Sequence, residues 1–304
     1  MLNSAYHFNS SFMQRHYLSP DFNITNWDQL KPIFEELKHR NLNSVSDLRQ
    51  WMKDYSEVEA VISEDGAWRY IKMTCNTQDE KLQSDFNFFV TEIEPHISPY
   101  SNELNKKLID CPFVDQLERD TYFVHVRGVK KSIELYREEN IALNTELRRK
   151  EQEFGTISAA QSITHNGEEM TIQKASTFFK NNDRSLREKI YHQIQERKGK
   201  DENALNELYT ELIRLRHQVA LNTGFSNYRD YKHEELGRFD YKVQDCYDFQ
   251  DAIQKHIVPL VKQNEQARKD ALNLDSYRPW DKEVDVDGKA PLKPFTTGAD
   301  LTAK

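Results

Sequence analysis

Apolar residues recur three and four apart through most of this 304-residue chain, the spacing that lays one stripe along a helix. Trp27, Leu30, Phe34 and Leu37 predict a helix over residues 26–40. Leu48, Trp51, Tyr55 and Val58 carry the rhythm through the stretch from Val45 to Tyr70. Leu82, Phe86, Phe89 and Ile93 open a third helix within 81–109, where Pro95 and Pro99 predict a break and then a short helix. From about Lys130 to Phe154, Ile133, Tyr136, Asn140, Leu143, Leu147, Lys150 and Phe154 predict one long helix. Its spacing is that of a coiled-coil seam, but Asn140 and Lys150 are polar members, so it suits one arm of an intramolecular helical hairpin better than a dimer zipper.

One segment breaks this rhythm. In SITHNGEEMTI the Asn166-Gly167 pair suits the two positive-φ positions of a type I′ turn, which predicts a small two-stranded ribbon over 161–172. Thr171 is then placed to cap the helix carrying Ala175, Phe178 and Phe179, and Ser185 with Glu188 reads as a capping box ahead of Leu186, Ile190 and Ile194. The charged stretch ERKGKDE, 196–202, reads as a linker. Leu205, Leu208, Leu212, Leu215 and Val219 predict the next helix, ended near Gly224. A last long helix over 245–272 places Phe249, Ile253, Ile257, Leu260 and Ala267 on its buried side, with a kink at Pro259. The fold class is mainly α: long antiparallel helices with a small β-ribbon.

Composition agrees with that reading and excludes several functions. Nine Gly and nine Pro are few for this length, while 16 Phe, 14 Tyr and 4 Trp are enough to anchor a core. A net charge of -8 gives a nucleic-acid partner no electrostatic support. No uninterrupted apolar run exceeds three residues, which excludes a membrane-spanning helix, and MLNSAYHFNSSF has neither the basic nor the apolar region of a signal peptide. Cys75, Cys111 and Cys246 are far apart and form no CxxC pair, as expected of reduced, mostly buried thiols in a cytoplasmic protein.

Six strings, in order, resemble the oligoendopeptidase F branch of the thimet-oligopeptidase-like zinc peptidases. They are SEDGAWRYIKMT (63–74), YREENIAL (136–143), HNGEEMTIQKA (165–175), DRSLREKIY (183–191), ELIRLRHQVALNTGFSNYRDY (211–231) and LDSYRPWDKEVDVDGKAPLKPF (274–295). The resemblance runs from about residue 20 to the end. It implies a helical zinc endopeptidase that cleaves short unstructured peptides inside a channel. The chemistry of that family rests on HExxH in a helix, where two His four apart bind zinc and the intervening Glu takes a proton from the metal-bound water.

The chain departs from the family at that motif. Its only His-Glu pair is His233-Glu234 in HEELG, and the position that must hold the second His is Gly237, which has no side chain to offer a metal. His233 is therefore expected to take a surface or helix-packing role, no catalytic residue or metal ligand of the family maps onto this chain, and no zinc is expected to bind it. The substrate-binding residues are not legible.

Other constellations read as structure. Glu188, His192 and Glu196 share one helix face and suit a solvated surface. His125 in YFVHVRG alternates with apolar neighbours and is expected to pack, whereas Arg214, Arg216 and His217 suit internal ion pairs. Glu283, Asp285, Asp287 and Gly288 set acids at alternate positions ahead of a glycine, as a calcium loop begins. The place of the closing bidentate Glu falls on Pro294, so a turn is expected instead.

The resemblance implies residues 1–199 as the amino-terminal helical region and 200–304 as the start of a gluzincin-type catalytic domain that stops before HExxH. The ending TTGADLTAK reads as a truncation. The function expected is part of a zinc-dependent oligoendopeptidase acting on oligopeptides, this chain lacking the catalytic motif. The alternative is a non-catalytic helical module that binds peptides or proteins.

Overall fold

The computed structural model describes residues 15–302. The string MLNSAYHFNSSF lies outside them, as do Ala303 and Lys304, the last residues of the TTGADLTAK ending. Helices dominate, and the strands described are β1 (Ser162–His165) and β2 (Glu168–Thr171), paired antiparallel with His165 opposite Glu168. The chain divides into two compact units. One runs up to Gln152 and includes Leu212–Arg238; the other holds Glu153–Glu211 and the residues from Phe239 on.

The first unit begins with α1 (Trp27–His39) and α2 (Val45–Cys75). Asn26 and Ser44 cap them by accepting the backbone N–H of Gln29 and Asp47, each satisfying a donor that a helix start leaves unpaired. The apolar stripes read from the sequence meet here: Leu30, Phe34, Leu37, Leu48, Trp51 and Val58 are all buried in one core. Each is worth about 1.5–3 kcal/mol of burial. The Trp51 indole donates to the Leu37 carbonyl at 2.8 Å, so burying the ring leaves no polar atom unpaired. Lys107 Nζ donates to the carbonyls of Leu37, Lys38 and Arg40 at 2.8, 2.7 and 2.6 Å, closing the end of α1.

The break expected at Pro95 is not a break. α3 (Glu80–Phe88) runs through a π-helical turn, Phe89–Ile93, directly into α4 (Glu94–Asp110), and Pro99 sits inside α4. A proline has no N–H to give, and its ring collides with the carbonyl of the preceding turn. Widening that turn removes the collision and lets the helix continue.

The single helix expected over 130–154 is in fact two, α5 (Arg119–Leu135) and α6 (Glu139–Ala159). Tyr136 is extended (φ -64°, ψ 130°), and the Arg137 guanidinium holds the break by donating to Glu134 O, Tyr136 O and Asn222 O. Spacing alone did not show this, because Ile133 and Tyr136 keep the rhythm up to the break. The hairpin arm is real beyond it: Asn140 is buried and donates to Val219 O and Thr223 Oγ1, both at 3.1 Å. A polar seam residue thus registers α6 against the end of α9 (Glu202–Asn222).

In the second unit Asn166 and Gly167 have φ of +53° and +82°, as the type I′ turn requires. Thr171 caps α7 (Ile172–Ser176). Ile163, Met170 and Ala175 pack on Ile190 and Ile194 of α8 (Arg184–Gly199). The cap of α8 is Asp183, whose carboxylate accepts the N–H of Ser185 and Leu186; the Ser185–Glu188 box expected there does not form. The expected linker at 196–202 shrinks to Lys200 and Asp201, since Lys and Glu side chains around Gly199 tolerate helix well.

Gly224 (φ +91°) ends α9 as expected, and α10 (Tyr228–Glu235) follows. The kink expected at Pro259 is again a π-turn: α11 (Val243–Ala252), Ile253–Ile257, then α12 (Val258–Ala271). In both long helices the widened turn ends two residues before the proline. The face expected to be buried on α11 and α12 is instead exposed, with Phe249 at 66%, Ile257 at 49% and Leu260 at 57%. A short α13 (Gly298–Thr302) closes the described chain.

Candidate functional site

A cleft of about 620 Å³ in the first unit is bounded by α2, α4, α6, the end of α9 and α10. The π-turn before Pro95 sets Glu94 at its rim, and the α6 register fixed by Asn140 brings Asn144, Arg148 and Glu151 to the same side. Tyr228, Tyr231 and Lys232 of α10 complete the wall. A second cavity of about 400 Å³ shares Ile62, Glu94, Arg148 and Glu151, and adds Tyr70, Phe86 and Phe89.

Burial pushes the Glu94 carboxyl up, and Arg148, 3.3 Å away, only partly offsets that. Tyr231 is pushed up to about 12, by burial first and then by Glu235 and Tyr228. Lys232 pairs with Glu235 at 2.5 Å, and Arg216 with Glu151 at 2.9 Å. The charges are therefore largely neutralised in place. The Asn144 amide remains beside aromatic walls, which suits binding of a polar chain more than bond-breaking.

The structure does not gather the sequence candidates into this cleft. His233 is buried in α10, as its packing role required, and Gly237 (φ +65°) ends that helix by donating to Glu234 O at 2.9 Å. HEELG is thus a helix terminus in which a glycine supplies left-handed backbone. Zinc, implied by the resemblance, finds no fitting donors: among the described residues no group of three or more His, Cys, Asp or Glu side chains is arranged to hold a metal ion. Glu188, His192 and Glu196 lie on the outer face of α8, with His192 Nε2 4.0 Å from Glu188. His125 is exposed on α5, contrary to the packing expected, because YFVHVRG is helical and period-two alternation has no meaning there. Arg216 pairs with Glu151 at the surface, not internally as expected of its cluster, and His217 is exposed. Asp285 Oδ1 accepts the N–H of Asp287 and Lys289, with Gly288 at φ +69°, the turn read from EVDVDGK. The three cysteines are free, but they are not mostly buried as expected: Cys111 is buried, Cys246 half-buried and Cys75 exposed.

Sequence reasoning missed an ionic cluster in the second unit. Asp281 is fully buried and accepts from Arg184 (Nε and Nη2, 3.0 Å each), Arg187 Nη2 (2.9 Å) and Arg278 N (3.0 Å). Its signal was present in DRSLREKIY and RPWD: two arginines three apart on one helix, and an Asp in an aromatic setting.

Compared with known proteins, residues 19–136 match the Peptidase M3 N-terminal domain and residues 177–302 match Peptidase family M3. No curated protein matches the sequence. Among solved structures, an oligoendopeptidase F from Bacillus anthracis superposes with a TM-score of 0.81 at 20% identity, over 89% of this chain and 50% of that one. PZ peptidase A, solved with an inhibitor, gives 0.81 at 22% identity, over 87% and 48%. Oligoendopeptidase-F from Enterococcus faecium gives 0.65 at 14% identity, over 86% and 55%. The chain spans about half the length of the structures it matches.

Proposed function

This chain belongs to peptidase family M3, and from that premise we propose that it is the amino-terminal half of a zinc-dependent oligoendopeptidase acting on short unstructured peptides. The observation that carries the reading is the order of the two matched segments on one chain. A helical fold shared with oligoendopeptidase structures, over half their length, supports it.

On this reading residues 1–199 form the amino-terminal helical region and 200–304 begin the catalytic domain. The chain contributes peptide-contacting wall, with the cleft between Glu94 and Tyr231 as its first candidate surface. It contributes no zinc ligand, since His233 is buried in a helix whose next turn ends at Gly237. No hydrolytic step is assigned to its residues. Among the described residues no helix is long and apolar enough to cross a membrane. The setting is cytoplasmic on this reading, which the three scattered free cysteines support.

The test is a pair of measurements on the purified chain. Metal analysis after dialysis is expected to find no stoichiometric zinc, and a quenched fluorescent peptide is expected to stay intact. Peptide cleavage that a chelator abolishes would overturn the assignment of the metal site to residues outside this chain. Tight peptide binding without cleavage would favour the non-catalytic binding module instead.

A further inference from the structure

Away from the cleft, the first unit carries a second kind of cavity, about 570 Å³, where α2 and α5 meet the segment leading into α1. Three elements bring nitrogen bases and cations to it: His16 from that segment, Arg49 and Lys53 from α2, and His125 from α5. Ser56 and Thr121 add hydroxyls at the same rim. This accounts for where His125 goes, since α5 turns it outward to this cavity and not into the core.

Two observations show that the donors here are not consumed internally. Arg49 spends Nη2 on Glu118, yet its Nε is buried without an acceptor. Native structures rarely leave such a donor unpaired. Glu57, the carboxylate in the lining, is already satisfied by the N–H groups of His16, Tyr17 and Leu18 at 2.8 to 3.3 Å. It anchors the incoming segment, and among the described residues Lys53 has no carboxylate partner.

We propose that this cavity binds a phosphate monoester carried on an apolar or aromatic body. Arg49, Lys53 and the two histidines offer donors from several directions to a tetrahedral dianion, the geometry in which charge-assisted hydrogen bonds are strongest. Met52 and Tyr122 line the same space, and its volume exceeds that of a bare phosphate, so part of the recognition falls on the body. The site is separate from the cleft assigned to peptide and does not rest on that assignment.

Phenyl phosphate, inorganic phosphate and phenol are the probes, followed by NMR of the Arg49 Nε–H and by calorimetry on the whole chain. Phenyl phosphate is expected to shift the Arg49 Nε–H resonance and to bind more tightly than inorganic phosphate, with phenol silent. Lys53→Gln and His125→Gln replace side chains outside the core and leave it intact; each is expected to weaken binding by about tenfold, the loss of one charge-assisted hydrogen bond. Absence of binding by either phosphate, or binding that neither substitution weakens, overturns the site. Equal affinity for the two phosphates overturns the role of the apolar body.

Discussion

Arg187 Nη2 donates to Asp281 Oδ1 at 2.9 Å, and at 2% and 0% exposure neither side chain reaches solvent. The same guanidinium donates to the carbonyls of Trp280, Asn181 and Asn182, so its donors are spent on both ends of the contact. The pair fastens the segment around Trp280 to α8. Removing one partner of a buried pair strands the other charge, which costs about 3–5 kcal/mol. Asp281→Ala is expected to lower stability by about that amount, a large share of the total for a typical domain. Arg184→Ala is expected to cost less, because Arg184 is partly exposed and water replaces the lost contact. Urea melts of the two variants check the order.

Acid should act on the same contact. Burial pushes the Asp281 carboxyl up, but the hydrogen bonds from Arg184, Arg187 and the Arg278 N–H outweigh it and hold the group below its ordinary value of 3.8. A carboxyl whose folded value is depressed stabilises the fold above its unfolded value and loses that contribution as pH falls through the folded one. Stability of the second unit is therefore expected to drop below about pH 4. Trp280 adjoins the cluster and reports it by fluorescence. Asp281→Asn is expected to be less stable at neutral pH but to show a shallower acid decline than the parent.

Gly66 and Gly128 are both helix-interior glycines, and the structure predicts opposite outcomes for replacing them. A Cβ at Gly66 would lie 2.8 Å from the ring of Phe89, which is buried in the π-turn before Pro95. A Cβ at Gly128 meets nothing within 4 Å. Alanine should thus stabilise at Gly128 by about 0.5–1 kcal/mol through helix propensity and destabilise at Gly66, where the ring must move. Thermal melts of the two single variants test this, and a matching gain at both positions would show that Phe89 has room to shift.

Much of the fold was legible because its signals are local. The stripe through Leu30, Phe34 and Leu37 and the Asn166-Gly167 turn depend on residues a few positions apart. What was hidden depends on partners distant in sequence. Arg137 ends α5 partly through Asn222 O, 85 residues away, and no periodicity announces that. The π-turns keep the helical rhythm on both sides of Pro95 and Pro259, so a proline alone did not distinguish a break from a widened turn. The cleft was illegible for the same reason: Glu94, Arg148 and Tyr231 come from three helices, and none lies in a string with a chemical signature.

α11, its π-turn and α12 form one helical run from Val243 to Ala271. Phe249, Ile253, Ile257, Leu260 and Val261 are exposed along this run, while Leu208, Leu212, Leu215 and Val219 of α9 are buried. Spacing placed the 245–272 stripe on a buried side, and it is exposed. Each large apolar side chain left wet forgoes about 1.5–3 kcal/mol of burial, so several on one helix leave it held by few contacts. Pro259 adds one backbone carbonyl that no proline N–H satisfies. Amides of 245–272 are therefore expected to exchange with solvent faster than those of α6, whose Asn140 is locked to α9. Self-association is expected to rise with concentration, because several large apolar side chains are exposed along one helical run. Leu260→Gln with Phe249→Ser should reduce that association without unfolding the chain, since both residues are exposed. Hydrogen exchange and sedimentation on the parent and the double variant provide the check. Equal, strong protection of both helices in a monomer would mean that this face needs no partner, and would shift the balance toward the self-sufficient binding module.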